Sequence, residues 1–140
     1  MARPKTKPAR ATAEQVAKLS EDSIQQMVVG VLNARLAPGV SWFAVPNGGY
    51  RSKATASRMK QTGTRAGTPD MAFAIAGRPH FLELKRARGG RVSPEQREMI
   101  AELENAGAVV AVARGIQAAL ATLNSWGAIN PPRARMALAA

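Results

Sequence analysis

Gly67-Thr68-Pro69-Asp70-Met71-Ala72-Phe73-Ala74-Ile75-Ala76-Gly77-Arg78-Pro79-His80-Phe81-Leu82-Glu83-Leu84-Lys85 is the stretch on which the fold turns. Met71 to Ala76 is a short apolar run, Gly77-Arg78-Pro79 carries turn chemistry, and Phe81 to Leu84 resumes the apolar run, so the stretch reads as a β-hairpin. Neither run alternates with polar residues, the pattern of strands covered on both faces. Three ionisable residues, Asp70, Glu83 and Lys85, interrupt it. Side chains at i and i+2 of a strand share a face, so Glu83 and Lys85 point one way while Leu82 and Leu84 point the other. Folding at the turn returns Glu83 and Lys85 toward Asp70. Two carboxylates and one ammonium then meet at one end of an apolar sheet.

Charges placed there cost several kcal/mol each unless they are paired. A salt bridge from Lys85 satisfies one acid and leaves the other alone. A hard divalent cation satisfies both, because Mg²⁺ takes oxygen ligands and usually one or two carboxylates with waters. Spacing alone leaves the salt bridge and the metal site level.

Outward from the hairpin, residues 1–19 form a basic arm, with Arg3, Lys5, Lys7, Arg10 and Lys18 against one acid, Glu14. It adds phosphate contacts or is a solvated tail, with helix expected only near its end. Ser20 caps a helix running to about Leu36, with Ile24, Met27, Val28, Val31 and Leu32 as its buried stripe and Pro38-Gly39 as its stop. Glu21 lies in the first turn, where an acid suits the helix dipole without further purpose. Trp42 to Val45 reads as the first strand, broken by the turn Pro46-Asn47-Gly48-Gly49, where two glycines would let backbone and Asn47 approach DNA closely.

Residues 50–67 carry Tyr50, Arg51, Lys53, Arg58, Lys60 and Arg65 and no acid. Ala54 to Lys60 favours helix and Gly63 stops it. Such a charge run is commonly a solvated face; directly before the hairpin it also suits a phosphate-contacting surface. A second basic loop, Lys85, Arg86, Arg88 and Arg91, follows the hairpin. Ser93-Pro94-Glu95-Gln96 is a complete helix start: Ser93 caps, Pro94 takes the first position and Gln96 stands three after the cap. That explains Gln96 locally, yet Gln96 also lies on the inward face with Ile100 and Leu103. The helix ends near Gly107; Ala108 to Ala113 is an apolar strand, Ile116 to Trp126 a closing helix, and Pro131-Pro132 opens a tail.

The order helix, strand, helix, strand, strand, helix, strand, helix predicts an α/β domain with a mixed four-stranded sheet flanked by helices, spanning 20–127 between the arm and a tail over 128–140. Phe81 to Ala113 should form a right-handed parallel crossover. The chain of 140 residues has a formal charge of +11, no cysteine and one histidine, His80, for which a strand-edge or surface role is expected. The charge points to a polyanion, with nucleic acid ahead of an anionic membrane. No amphipathic basic helix with bulky anchors supports a membrane, and no apolar run approaches the length of a span. Disulfides and thiolate metal sites are excluded, which is compatible with a reducing cytosol.

Pro69-Asp70 followed across a hairpin by Glu83-Leu84-Lys85 resembles the Pro-Asp…(Asp/Glu)-x-Lys pattern of the restriction-endonuclease-like nucleases. Pro46-Asn47-Gly48-Gly49, Gly67-Thr68-Pro69-Asp70, Phe81-Leu82-Glu83-Leu84-Lys85 and Gly90-Arg91-Val92-Ser93-Pro94-Glu95-Gln96 together resemble its VRR-Nuc branch, in the small stand-alone, often phage-encoded form. The resemblance implies a restriction-endonuclease-like core and Mg²⁺- or Mn²⁺-dependent hydrolysis of DNA phosphodiesters. It implies that Asp70 and Glu83 hold the ion, with the Leu84 carbonyl as a further ligand and Lys85 at the attacking water. It also places an acid of the active site at Glu21, in the pattern Glu21-x-x-Ile24-Gln25, to bind a second ion or the first ion's waters, with Asp22 as competitor, and a site glutamine at Gln96 to position water or phosphate. Arg51, Lys53, Arg58, Lys60, Arg65, Arg86, Arg88 and Arg91 would grip the backbone without regard to sequence.

Small relatives of this kind imply a homodimer acting on four-way junctions in the cytoplasm of a bacterial or phage-infected cell; others act on flaps. A non-catalytic basic DNA-binding module and a sequence-specific endonuclease are the rival classes. The first has no use for acids facing phosphate, and the second has little chain left for reading bases.

Overall fold

The structure, a computed structural model, describes residues 9–46 and 51–132. The turn at Asn47, Gly48 and Gly49, Tyr50, the arm residues Arg3, Lys5 and Lys7, and the tail from Arg133 lie outside the described residues. In chain order the elements are α1 (Ala13–Ala17), α2 (Glu21–Arg35), β1 (Ser41–Ala44), α3 (Lys53–Gln61), β2 (Met71–Ile75), β3 (Arg78–Lys85), α4 (Pro94–Asn105), β4 (Val109–Arg114) and α5 (Gly115–Ser125). The strands form one sheet in the order β1-β2-β3-β4. β1 and β3 run antiparallel to β2, and β4 runs parallel to β3, so the sheet is mixed, as the element order predicts.

The central hairpin forms, with its turn displaced from the expected Gly77-Arg78-Pro79. Ile75 pairs with Arg78, and the two residues between them, Ala76 and Gly77, have φ of 50° and 76°. Positive φ at both central residues is the type I′ geometry, whose twist matches that of the flanking strands. Gly77 takes it freely and Ala76 bears the strain. Arg78 and Pro79 therefore belong to β3, and Pro79 is tolerated because the ladder with β4 begins only at His80.

One face of the sheet carries Met71, Phe73, Ile75, Leu82 and Leu84 into a core shared with Ile24, Val28 and Leu32 of α2 and Ile116, Ala119 and Leu123 of α5. The Ser20 hydroxyl caps α2 by accepting from the Ser23 N–H. Its buried stripe is narrower than expected: Val31 is half-buried and Met27 is 44% exposed. Ile24, Val28 and Leu32 recur every four residues and take the centre of the buried face, while Met27 and Val31 lie on its flank. His80 is not at the surface. It is buried, its ring centroid 4.9 Å from that of Trp126, with Nδ1 3.0 Å from the Arg78 carbonyl oxygen. Ala128 and Ile129 also enter the core, and the Asn130 N–H donates to the Arg35 carbonyl at 2.7 Å.

The opposite face is covered only in part. α4 packs against β4 there, with Gln96 reaching across to Glu83 of β3, and its Met99 is buried. Toward the Ala76-Gly77 turn and at the sheet edges this face opens: Ala74 and Pro79 are exposed, and so are Phe43 of β1 and Val112 of β4. Coverage of both faces, expected from the apolar runs, thus holds for the centre of the sheet and fails at the turn and the edges.

Candidate active site

Met71 pairs with Leu82, so one step further the chain sets Asp70 across from Glu83. Asp70 Oδ2 accepts the Leu84 N–H at 2.7 Å, which anchors the acid to the neighbouring strand just past the end of β2. Glu83 and Lys85 are buried, at 3% and 6% exposure. Lys85 Nζ lies 3.3 Å from Glu83 Oε1 and donates to Gln96 Oε1 at 3.0 Å. Gln96 Nε2 donates to the same Glu83 Oε1 at 2.7 Å.

Gln96 reaches this position because it closes the capping box of α4. Its Oε1 accepts the Ser93 N–H at 2.8 Å, and its own N–H donates to Ser93 Oγ at 3.1 Å. The helix-start reading and the inward-facing reading are both true of one side chain. The amide orientation is fixed by its surroundings: Oε1 faces two donors and Nε2 faces a carboxylate.

Burial pushes the Glu83 carboxyl up to about 7, the charge of Asp70 adds to the rise, and Lys85 opposes it. Burial also raises Asp70; the Leu84 N–H pulls it down, and the charge of Glu21 acts with burial. Two acids sharing one rim resist ionising together. The salt bridge to Lys85 exists but does not relieve the pair.

Among the described residues, the contacts of the acids fall on Asp70 Oδ2 and Glu83 Oε1, and the second oxygen of each makes no hydrogen bond there. Both acids line one cleft of about 630 Å³. No group of three or more Asp, Glu or His residues at metal-holding spacing occurs among the described residues. Two carboxylates with waters is the donor set of a hard divalent ion, so the residues fit such a group.

Glu21, at the first turn of α2, lines the same cleft, as do Arg51, Lys60, Arg65 and Gln96. Arg51 contacts the Met59 sulfur. Arg65 is held in a two-pronged pair with Glu102, at 2.8 and 2.6 Å, which raises the arginine and lowers the acid. Lys53 and Arg58 are exposed on α3. Arg86 and Arg88 border a separate depression together with Glu14 and Lys18, and Arg91 is exposed. Asn47 lies outside the described residues.

Gly67 has a positioning role that sequence reasoning missed. Its φ is 78°, and a Cβ there would lie 2.3 Å from the Glu95 carbonyl oxygen and 2.7 Å from the Gln96 nitrogen. The loop leading into Asp70 is thereby pressed onto the first turn of α4. A glycine directly before Thr68-Pro69-Asp70 was the available signal.

The family model of the VRR-NUC domain matches residues 19–117. The chain belongs to the VRR-NUC family. Glu21, Asp70, Glu83, Lys85 and Gln96 all fall within the matched span. A VRR_NUC domain protein of known structure is 24% identical, with a TM-score of 0.65 over 77% of this chain and 88% of its own, a likeness of fold. No curated protein matches the chain. As a VRR-NUC domain the chain has a nuclease-type, DNA-processing function, and the family implies a divalent metal cofactor in general. No helix among the described residues is long and apolar enough to cross a membrane.

Proposed function

We propose that this VRR-NUC domain is a metal-dependent endonuclease that hydrolyses phosphodiester bonds in branched DNA such as four-way junctions, acting as a homodimer in the cytoplasm. The observation that carries the reading is the pair Asp70 and Glu83, set across from each other on neighbouring strands at the rim of a cleft also lined by Arg51 and Lys60, each raised above its ordinary value by burial. A binding module facing phosphate gains nothing from one buried and one half-buried acid, whereas a hydrolase needs them.

Asp70 and Glu83 would hold Mg²⁺ or Mn²⁺, with the Leu84 carbonyl as a further ligand. When bound, such an ion supplies Lewis acidity at the phosphate and lowers the pKa of a coordinated water. Lys85 has three donors; one serves Gln96 and one faces Glu83, which leaves a hydrogen to orient the attacking water or to stabilise its hydroxide form. Gln96 holds Glu83 and Lys85 in fixed relation and so keeps the reacting groups preorganised. Glu21 would accept hydrogen bonds from waters at the rim. Arg51, Lys53, Arg58 and Lys60, with Arg86, Arg88 and Arg91, grip the sugar-phosphate backbone without reading bases. A dimer suits a junction because two symmetry-related strands must be cut.

The test is cleavage of labelled four-way, flapped and linear DNA with Mg²⁺, with Mn²⁺ and with neither. Cutting of the branched substrates that depends on the ion is the expected result. Binding without cutting under both ions would reduce the protein to a binding module, and discrete fragments from unrelated linear duplexes would make it sequence-specific.

A further inference from the structure

The sheet face that carries the two acids continues beyond them as an apolar row. The Val45 N–H donates to the Asp70 carbonyl at 2.8 Å, so Val45 sits beside Asp70. Two residues before it on the same face, Phe43 pairs with Ala72, Ala72 with Phe81, and Phe81 with Val110. Rows on one face are separated by two residues, about 7 Å along the strand. Phe43 is 64% exposed, the highest exposure among the large hydrophobic residues described, while Ala72 beside it is buried. Of the other described aromatics, Phe73 is buried against Trp126, Trp42 packs on the core, and Phe81, two strands away in the same row, is half-buried.

An aromatic ring left in water contributes nothing through burial, and here it stands one row from the acids on a chain of charge +11. We propose that Phe43 is a nucleobase platform, on which an unpaired base beside the scissile phosphate stacks. The proposal rests on the nuclease reading above, since it takes DNA held at Asp70 and Glu83 as the occupant. One row of the sheet is on the order of the span from a phosphate to its own base. A flat ring accepts any base, because every base has a π-face, so the platform adds affinity without sequence preference. Bases inside a duplex are already stacked and unavailable; those at a branch, a flap or a single strand are free. The platform therefore selects DNA by structure, which the basic residues of the cleft cannot do.

The experiment compares wild type with Phe43→Ala and Phe43→Tyr. Binding without divalent ion is measured to a four-way junction, a single strand and a paired duplex, with 2-aminopurine beside the mapped cut site or, if nothing is cut, at the branch. Wild type should quench the 2-aminopurine. Phe43→Ala should lose the quenching and about ten- to a hundredfold in affinity for junction and single strand, with duplex affinity unchanged. Phe43→Tyr should behave as wild type. Equal quenching and affinity in Phe43→Ala would overturn the proposal, as would an equal loss on duplex. Dissociation of Phe43→Ala into a smaller species on gel filtration, with quenching retained by the monomer, would assign the ring to self-association instead. Wild type that cuts nothing under Mg²⁺ or Mn²⁺ but shows Phe43-dependent quenching would end the nuclease reading and leave the platform standing.

Discussion

Gln96 Nε2 donates to Glu83 Oε1 at 2.7 Å, joining the first turn of α4 to the central strand β3. The same side chain completes the capping box at Ser93 and accepts from Lys85, so one amide ends a helix and sets two charged groups. Secondary structure and site are coupled at this residue: α4 cannot fray at its start without releasing Glu83.

Gln96→Ala should destabilise the protein by about 1–3 kcal/mol in urea unfolding, since it removes a cap and leaves a buried ammonium and carboxylate with fewer partners. Gln96→Glu keeps the acceptor for Ser93 and Lys85 but sets a carboxylate against Glu83. Its deficit relative to wild type should grow between pH 5 and pH 8. A deficit independent of pH would mean that the contact with Glu83 carries little of the effect.

Asp70→Ala and Glu83→Ala should each abolish cutting while binding to a junction survives or tightens, because negative charge is removed from a phosphate-facing rim. Near-normal cleavage by either variant would remove that residue from the mechanism. Lys85→Ala should lower the single-turnover rate more than it weakens binding; the reverse pattern would make Lys85 a phosphate anchor.

The pH dependence of stability carries a definite sign. Glu83 is raised from 4.5 to about 7 in the native state, so across that window the folded protein keeps a proton that the unfolded chain has released. Metal-free stability should therefore be highest at low pH and decline as pH rises through the window, by at most about 3 kcal/mol. Glu83→Gln should flatten that decline, and millimolar Mg²⁺ should raise the wild-type melting temperature more at pH 8 than at pH 5. Thermal melts of the two proteins across this range provide the check, and a stability that rises with pH in this window would contradict the assignment.

Gly67→Ala combines a positive φ with a Cβ 2.3 Å from the Glu95 carbonyl oxygen, so the loop must move. Asp70 and Gln96 separate when it does. A melting temperature several degrees lower, together with reduced cutting, is expected. Gly63→Ala serves as the control, because its φ of 100° is strained but no atom lies within 4 Å of the added carbon. Its cutting should stay near wild type.

The sequence by itself determined whatever depends on neighbours along the chain. The order of helices and strands, the shared face of Glu83 and Lys85, the caps at Ser20 and Ser93 and the hairpin that returns Glu83 to Asp70 all follow from periods of two and 3.6 and from local hydrogen bonds. Tertiary structure decided whatever depends on which surfaces meet. It moved the turn to Ala76-Gly77, where strand twist selects the type I′ form. It buried His80 against Trp126, left Met27 and Phe43 in water, and tied Arg65 to Glu102, 37 residues away. It also pressed Gly67 against Glu95. None of these is written in a local pattern, because burial and pairing between distant segments are properties of the packed sheet and helices together.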